Sequence, residues 1–216
     1  MSGITIGVFL LTAYFLGSIP TGYWVAKTVK GIDIRQYGSG GTGATNVLRN
    51  VGKVPALAVL LIDILKGSTA VLLIKYIYPG IATSTPSPNA LAWIATAASL
   101  LVLVGHSRSV WIGFKGGKSA ASGLGVLLAL AWPVALGALL TFGGILAISR
   151  IVSLGSVGAA IAAFVLMVLT QQPLPYVLLG LAGGLYVMWR HQSNLRRILA
   201  GTEPRLGGNR SHSPQT

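Results

Sequence analysis

The chain has 216 residues, 53% hydrophobic and only 9% charged, and its 16 Lys and Arg outweigh 3 Asp and Glu to leave a formal charge of +13. Soluble domains carry roughly a quarter of their residues as charges and nucleic-acid binders gather cations on one basic face; here the cations are scattered between apolar runs, as in the positive-inside loops of an integral membrane protein. Cysteine is absent, which excludes disulfide frameworks, thiolate metal sites and a cysteine acyl-enzyme. The first apolar run, residues 4 to 26, has no Lys or Arg before it, so it lacks the basic n-region of a signal peptide and reads as a retained helix. Lys27, Lys30 and Arg35 follow it, which puts the N-terminus outside and the next loop in the cytoplasm. A second run, 54 to 78, ends at Pro79-Gly80 and the Thr/Ser/Pro-rich stretch 83 to 89, a loop on the outer side. The third, 90 to 105, returns to Gly105-His106 and a cytoplasmic loop bearing Arg108, Lys115 and Lys118.

Residues 119 to 149 are interrupted by Trp132-Pro133, and each half is shorter than the roughly 20 residues of a full span. A hairpin keeps Arg150 inside with the other cations, whereas a single span strands it and every later cation outside. Runs 157 to 170 and 175 to 189 flank Gln171-Gln172-Pro173 and end at Arg190. Seven crossings with a cytoplasmic C-terminus then place all of the 16 cations except Lys66 and Lys75 on the inner side. The expectation is an all-α integral membrane protein, one seven-helix bundle over residues 1–206 with a polar, disordered tail at 207–216. The 29 glycines suit close helix packing, and no long-period repeat points to an inverted-repeat transporter.

Three polar segments fall on one side. In the first, Tyr37 to Arg49, Gly38, Gly40 and Gly43 match G-x-G-x-x-G, but the dinucleotide fingerprint has meaning only between a strand and a helix, and this one follows a membrane helix. What survives is the physics: small residues expose backbone N–H groups, Ser39, Thr45 and Asn46 add polar side chains, and a helix begins nearby, which suits phosphate. The second runs from Gly105-His106 to Gly116-Gly117-Lys118-Ser119. It fails as a P-loop because position 112 is Ile, yet it sets backbone donors beside a point charge. Lys118, inside the glycine run, is the better candidate, and Lys115 reads as an interfacial anchor. The third, Arg190 to Arg197 followed by Glu203, puts His191 and Asn194 on one face if the last helix continues. Asp63 and Lys66, one turn apart in the second run, read as a self-neutralising structural pair. Ser153 and Ser156 lie near the inner end of a helix beside Arg150, His106 is ambiguous, and His212 reads as inert.

Gly38-Ser39-Gly40-x-x-Gly43-Ala44-Thr45-Asn46-x-x-Arg49, Gly105-His106 with Phe114-x-Gly116-Gly117-Lys118, and His191-x-x-Asn194 with Glu203 resemble, in order and spacing, the three cytoplasmic motifs of the bacterial acyl-phosphate:glycerol-3-phosphate acyltransferases. The resemblance spans residues 4 to 207. It implies a seven-helix enzyme of the bacterial cytoplasmic (inner) membrane, monomeric, with its active site on the cytoplasmic face. It further implies transfer of a fatty acyl group from acyl phosphate to the sn-1 hydroxyl of glycerol 3-phosphate, giving lysophosphatidate and inorganic phosphate, the first acylation of phospholipid synthesis, with no cofactor, metal or coenzyme A. By position, Ser39, Arg49, Lys118, Ser156, His191 and Asn194 line the glycerol-phosphate site, with Ser39, Lys118, His191 and Asn194 as the catalytic group. Gly38, Gly40, Gly43, Thr45, Asn46, Gly116 and Gly117 cradle the acyl phosphate, and Glu203 is structural. The chain departs from the usual motifs at Gly41, Ser109 and Ser119, where the family has Asn, Pro and Gly.

The chemistry agrees with the inventory, since two phosphate substrates call for cations and aligned N–H donors, and no Ser-His-Asp arrangement is evident. Direct transfer in a ternary complex without an acyl-enzyme is expected, with His191 or a substrate phosphate taking the hydroxyl proton. The alternative is a small transporter of anions or phosphate esters, which needs its polar groups near mid-membrane. An acyl-thioester donor is disfavoured because no His-x4-Asp motif is present.

Overall fold

The computed structural model describes residues 2–207. The expected tail, apart from Gly207, and His212 with it, lie outside the described residues. Among the described residues the regular structure is helical, and a single isolated bridge pairs Ser109 with Lys115.

The first apolar run is two helices instead of one: α1 (Ser2–Ser18) and α2 (Thr21–Lys30). Pro20 separates them, because proline has no N–H for the helix ladder and disfavours helical geometry in the residue before it. After the first polar loop a short helix α3 (Ala44–Asn50) leads into α4 (Lys53–Leu72), which continues through a π-helical turn, Leu73–Ile77, into α5 (Tyr78–Ile81). Pro79 and Gly80 therefore sit inside the last turn and do not end the helix where the sequence suggested. Ser87 caps α6 (Pro88–Ser107) by accepting from the Ala90 amide at 3.2 Å. The 119–149 region is a pair of helices, α7 (Ala120–Leu130) and α8 (Trp132–Ser149), broken at Ala131 with Pro133 in the first turn of α8. Next comes α9 (Val152–Leu169), which starts one turn earlier than read from hydropathy, and then α10 (Leu174–Arg190). The chain turns at His191 into α11 (Gln192–Leu199), so His191 and Asn194 do not share one continuous helix.

Five helical stretches are long and apolar enough to cross a membrane: Gly3–Lys30, Lys53–Ile81, Pro88–Ser107, Trp132–Ser149 and Val152–Leu169. They are integral-membrane in character, with lipid-ready Leu, Ile and Val on their outer faces. The close crossings run through glycine. A Cβ on Gly105 would strike the Tyr14 carbonyl of α1, and one on Gly67 would strike the Ser122 carbonyl of α7, so these backbones touch only because no side chain intervenes.

The shortest apolar helix sets up the site. With 11 residues, α7 reaches only about 16 Å at 1.5 Å per residue against a hydrocarbon core of about 30 Å. It packs against α4, α6, α8 and α10, in the middle of the bundle. The loop that precedes it therefore descends among the helices, where Ser119 is fully buried.

Beside that loop lies the Asp63–Lys66 pair at 2.8 Å, both side chains buried. Lys66 also donates to the Ile19 carbonyl at 3.0 Å, at the break that Pro20 makes between α1 and α2. His106 Nδ1 stands 3.6 Å from the same carboxylate. Lys75, the other cation left over by charge counting, donates to the Ala129 carbonyl at 2.9 Å, where the last turn of α7 lacks intrahelical donors. If the Asp63–Lys66 pair is structural, Lys66→Met leaves a buried carboxylate uncompensated and costs about 3–5 kcal/mol. The double variant Asp63→Leu with Lys66→Met should recover most of that loss. Thermal unfolding in detergent checks this, and equal damage in both variants would contradict the pairing.

Candidate functional site

The first polar loop is shaped from within by one amide. Asn46 Nδ2 donates to the carbonyls of Ile34 at 3.1 Å, Tyr37 at 3.0 Å and Gly41 at 2.8 Å, while its Oδ1 accepts from the Ser39 amide at 3.2 Å and from Asn50 Nδ2 at 2.9 Å. Its polar atoms are thus committed to the loop backbone. Asn46 builds the cradle from within, and it also lines the large cavity that the cradle borders. Gly38 packs on the Asn46 oxygen with φ of +57°, a conformation and a clearance that a side chain would spoil.

The second loop is wrapped on His106. Gly117 N donates to the His106 carbonyl at 3.1 Å, and a Cβ on Gly116 or Gly117 would collide with that carbonyl or with the imidazole ring. Ser119 then takes φ of +64°, costly for a residue other than glycine. Its hydroxyl donates to the Leu103 carbonyl at 2.7 Å and meets Ser107 Oγ at 3.1 Å, and Ser107 in turn meets Tyr186 Oη at 2.7 Å. The left-handed conformation of Ser119 is therefore supported by its own hydroxyl. Arg35 ties the two loops together: it pairs with Asp33 at 2.6 Å and donates to the Ile112 carbonyl at 2.9 Å. Its hydrogen bonds hold the Asp33 carboxyl below its ordinary range.

The third segment supplies the other wall. Lys118 Nζ donates to Asn194 Oδ1, and Asn194 Nδ2 donates to Glu203 Oε1 at 2.6 Å. Glu203 also accepts from Ser153 Oγ at 2.7 Å and from Arg197 Nε at 2.7 Å, linking α9, α11 and the chain beyond it. Burial alone would raise the Glu203 carboxyl, but the hydrogen bonds from Asn194, Ser153 and Arg197 outweigh it and hold the group below its ordinary value. Burial lowers the Lys118 ammonium to about 8, with Glu203 opposing the shift and Arg197, Arg49 and Arg190 adding to it. Burial likewise lowers His191 to about 4. Its Nδ1–H donates to the Val187 carbonyl at 2.8 Å, which fixes a neutral tautomer with Nε2 free to accept.

These groups open on a cavity of about 640 Å³. Ser39, Arg49, Lys118, Ser156, His191 and Asn194, six residues from the three polar segments and α9, all line it. Gly43, Thr45, Gly117 and Glu203 also line it, as does Asp63. Ser156 Oγ donates to its own helix at Val152, 3.0 Å away, while still facing the cavity. Arg49 donates to the Pro204 carbonyl at 3.1 Å. Gly40 and Gly116 face a smaller neighbouring cavity instead, and Gly38 and Lys66 line neither. Below the polar end the walls are apolar, with Leu124, Leu127, Phe142, Ala163 and Leu179, so one space joins a cationic mouth to a hydrocarbon-compatible interior. The sequence reading missed Arg190, which donates to the Gly117 carbonyl at 3.0 Å, and Tyr186. An aromatic near a helix end looks like any interfacial anchor, so Tyr186 left no signal.

The family model for glycerol-3-phosphate acyltransferase matches residues 7–201. A glycerol-3-phosphate acyltransferase of Trichodesmium erythraeum is 53% identical over 208 residues, covering 93% of this chain and 91% of the relative. One of Synechococcus sp. (strain JA-3-3Ab) is 55% identical, covering 94% and 95%. Among solved structures, PlsY (YgiH), an integral membrane glycerol 3-phosphate acyltransferase, superposes in its glycerol 3-phosphate form with a TM-score of 0.84 at 36% identity, covering 94% of this chain and 96% of that one. Its lysphosphatidic acid form gives 0.81.

Because the native carboxyl of Glu203 is held low, its contribution to stability is complete at neutral pH. It fades as the pH falls below the ordinary glutamate value of about 4.3 and is lost once the pH passes the depressed native value. Glu203→Gln should therefore melt several degrees below the wild type at pH 7, with the gap closing in acid. A gap independent of pH would contradict the charged network.

Proposed function

The chain belongs to the glycerol-3-phosphate acyltransferase family, and from that premise we propose that it transfers a fatty acyl group from acyl phosphate to the sn-1 hydroxyl of glycerol 3-phosphate, at the cytoplasmic face of a bacterial inner membrane. In this reading seven crossings carry the fold, α7 and α10 adding to the five longer stretches, with the N-terminus outside and the C-terminus inside. The observation that supports it best is the convergence of Ser39, Arg49, Lys118, His191 and Asn194 on one cavity whose cationic mouth leads to apolar walls. A phosphate ester and an acyl chain both find matching surroundings there. An anion transporter would have no use for an apolar interior of that kind.

Lys118 and Arg49 attract the phosphate of glycerol 3-phosphate, and Asn194, held by Glu203, fixes where the Lys118 ammonium points. Acyl phosphate brings its own leaving group, so the task is to align the hydroxyl with the acyl carbonyl and to stabilise developing negative charge. The hydroxyl oxygen bonds to the acyl carbon, the bond from that carbon to the bridging phosphate oxygen breaks, and the electron pair departs with phosphate. His191, at about 4, is a weak base. A phosphate monoester oxygen, with a second pKa of about 6, is the stronger one. The hydroxyl proton accordingly passes to phosphate, and His191 Nε2 orients the acceptor by accepting from its other hydroxyl. The transfer is direct, in a ternary complex with both substrates bound.

Purified protein offered palmitoyl phosphate or palmitoyl coenzyme A separately should make lysophosphatidate only from the former, releasing one phosphate per product. Lys118→Ala and Arg49→Ala should each raise the KM for glycerol 3-phosphate by about 10- to 100-fold, the loss of one charge-assisted hydrogen bond. In the wild type that KM should climb as the pH rises through about 8, where Lys118 loses its proton. Turnover with the coenzyme A ester alone, or a KM indifferent to both substitutions, would contradict the reading.

A further inference from the structure

Four helices wall the apolar part of the large cavity, and on each of them the lining stops at a similar depth. The residues farthest from the polar mouth that still face it are Leu127 on α7, Ala138 on α8, Ala163 on α9 and Leu179 on α10. One turn farther on come Ala131 at the α7–α8 break, and Val134, Met167 and Tyr176 on the same faces of α8, α9 and α10; none of these lines the cavity. Ala131, Val134 and Met167 form a buried cluster with Ala138 and Ala163, and Leu127 and Tyr176 pack against it. The cavity therefore ends on a close-packed floor. From His191 at the mouth to Leu179, its wall follows α10 for about 18 Å at 1.5 Å per residue. That is a little more than half of the roughly 30 Å hydrocarbon core of a bilayer, the depth that one fatty chain fills. Between mouth and floor the walls carry small residues, Ala159 and Ala160 on α9 and Gly183 and Gly184 on α10, which leaves width for a chain.

Resting on the acyl-transfer reading above, we propose that this floor sets the longest acyl chain the enzyme accepts, with Ala138 and Ala163 as the residues that decide it. A chain of matched length reaches the floor and fills the cavity. A longer one has to push its terminal methyl into packed side chains that have no room to give, and overpacking of that kind is costly. A shorter one leaves a void above the floor and forfeits its dispersion contacts. Ala138 and Ala163 matter most because each presents only a methyl group, so a larger side chain at either position raises the floor by itself. Leu57 and Leu60 on α4 and Leu139 on α8 also line the cavity and are exposed, so the chain enters from the side that faces lipid. The floor then stops its end, whatever the route in.

The test compares kcat/KM for lauroyl, palmitoyl and stearoyl phosphate in purified protein at saturating glycerol 3-phosphate. Ala163→Leu and Ala138→Leu should each lower the ratio of stearoyl to lauroyl turnover by about tenfold or more, since even one methylene in an apolar pocket is worth that much. Ala159→Leu, one turn nearer the mouth, should penalise palmitoyl phosphate as well. Met167→Ala lowers the floor and should raise the stearoyl ratio. Filling and emptying substitutions call for opposite shifts, so a general loosening of the bundle cannot imitate both. In each case the KM for glycerol 3-phosphate should move much less than the ratio. A ratio unchanged in folded Ala163→Leu and Ala138→Leu, or a loss equal at every chain length, would overturn the assignment, because the chain end would then lie out among the lipids. So would Met167→Ala with the wild-type ratio. Wild-type protein that uses only coenzyme A esters would instead overturn the donor reading, and the same ratios taken with those esters would still test the floor.

Discussion

Three carboxylates serve the whole chain, and the structure places each where polar segments meet. In a low-dielectric bundle an unpaired buried charge is costly, so each acidic group has a large effect on its surroundings. Asp33 steadies the Arg35 that joins the first polar loop to the second. Asp63 pairs with the Lys66 that reaches the break between α1 and α2, and it stands beside the His106 on which the Gly-Gly-Lys turn is wrapped. Glu203 gathers Ser153, Asn194 and Arg197, and through Asn194 it fixes Lys118. Two of the three, Asp63 and Glu203, reach the edge of the large cavity, and each is already engaged by protein donors, Asp63 by Lys66 and Glu203 by Ser153, Asn194 and Arg197.

The second determinant is a helix that is too short. Because α7, at 11 residues, is shorter than its neighbours in the bundle, the loop before it sinks among them and carries Lys118 with it. The cationic mouth and the apolar interior are then one continuous space, and a reaction between a water-soluble phosphate ester and a lipid acyl group can occur at their boundary. In the direct transfer proposed above, preorganised donors and cations would stabilise the developing charge, and no covalent intermediate on a side chain would be needed. This is consistent with a histidine kept neutral by burial and a lysine whose proton is only modestly held.

Much of this was legible in the residues. Hydropathy located the apolar runs, and Trp132-Pro133 announced the break between α7 and α8, since proline cannot continue a helix. The break at Pro20 carried the same signal but lay inside an unbroken apolar run, where a continuous helix was the simpler reading. Motif spacing named six residues that all reach one cavity, because motifs record which groups face a ligand. It could not say that Asn46 turns inward to hold its own loop, or that Glu203 reaches across to Ser153 on α9, since both depend on how distant segments pack. Arg190 was hidden among positive-inside cations of the same type. Only its contact with Gly117 and the small cavity beside it set it apart.

The central claim is that both substrates occupy the site together and the acyl group passes directly between them, with no acyl-enzyme. The most direct measurement incubates the protein with palmitoyl phosphate and isotopically labelled inorganic phosphate in the absence of glycerol 3-phosphate, then asks whether label enters palmitoyl phosphate. Direct transfer predicts no exchange until the acceptor is added. Label appearing in palmitoyl phosphate without acceptor would mean that the acyl group rests on the protein, and it would contradict the account.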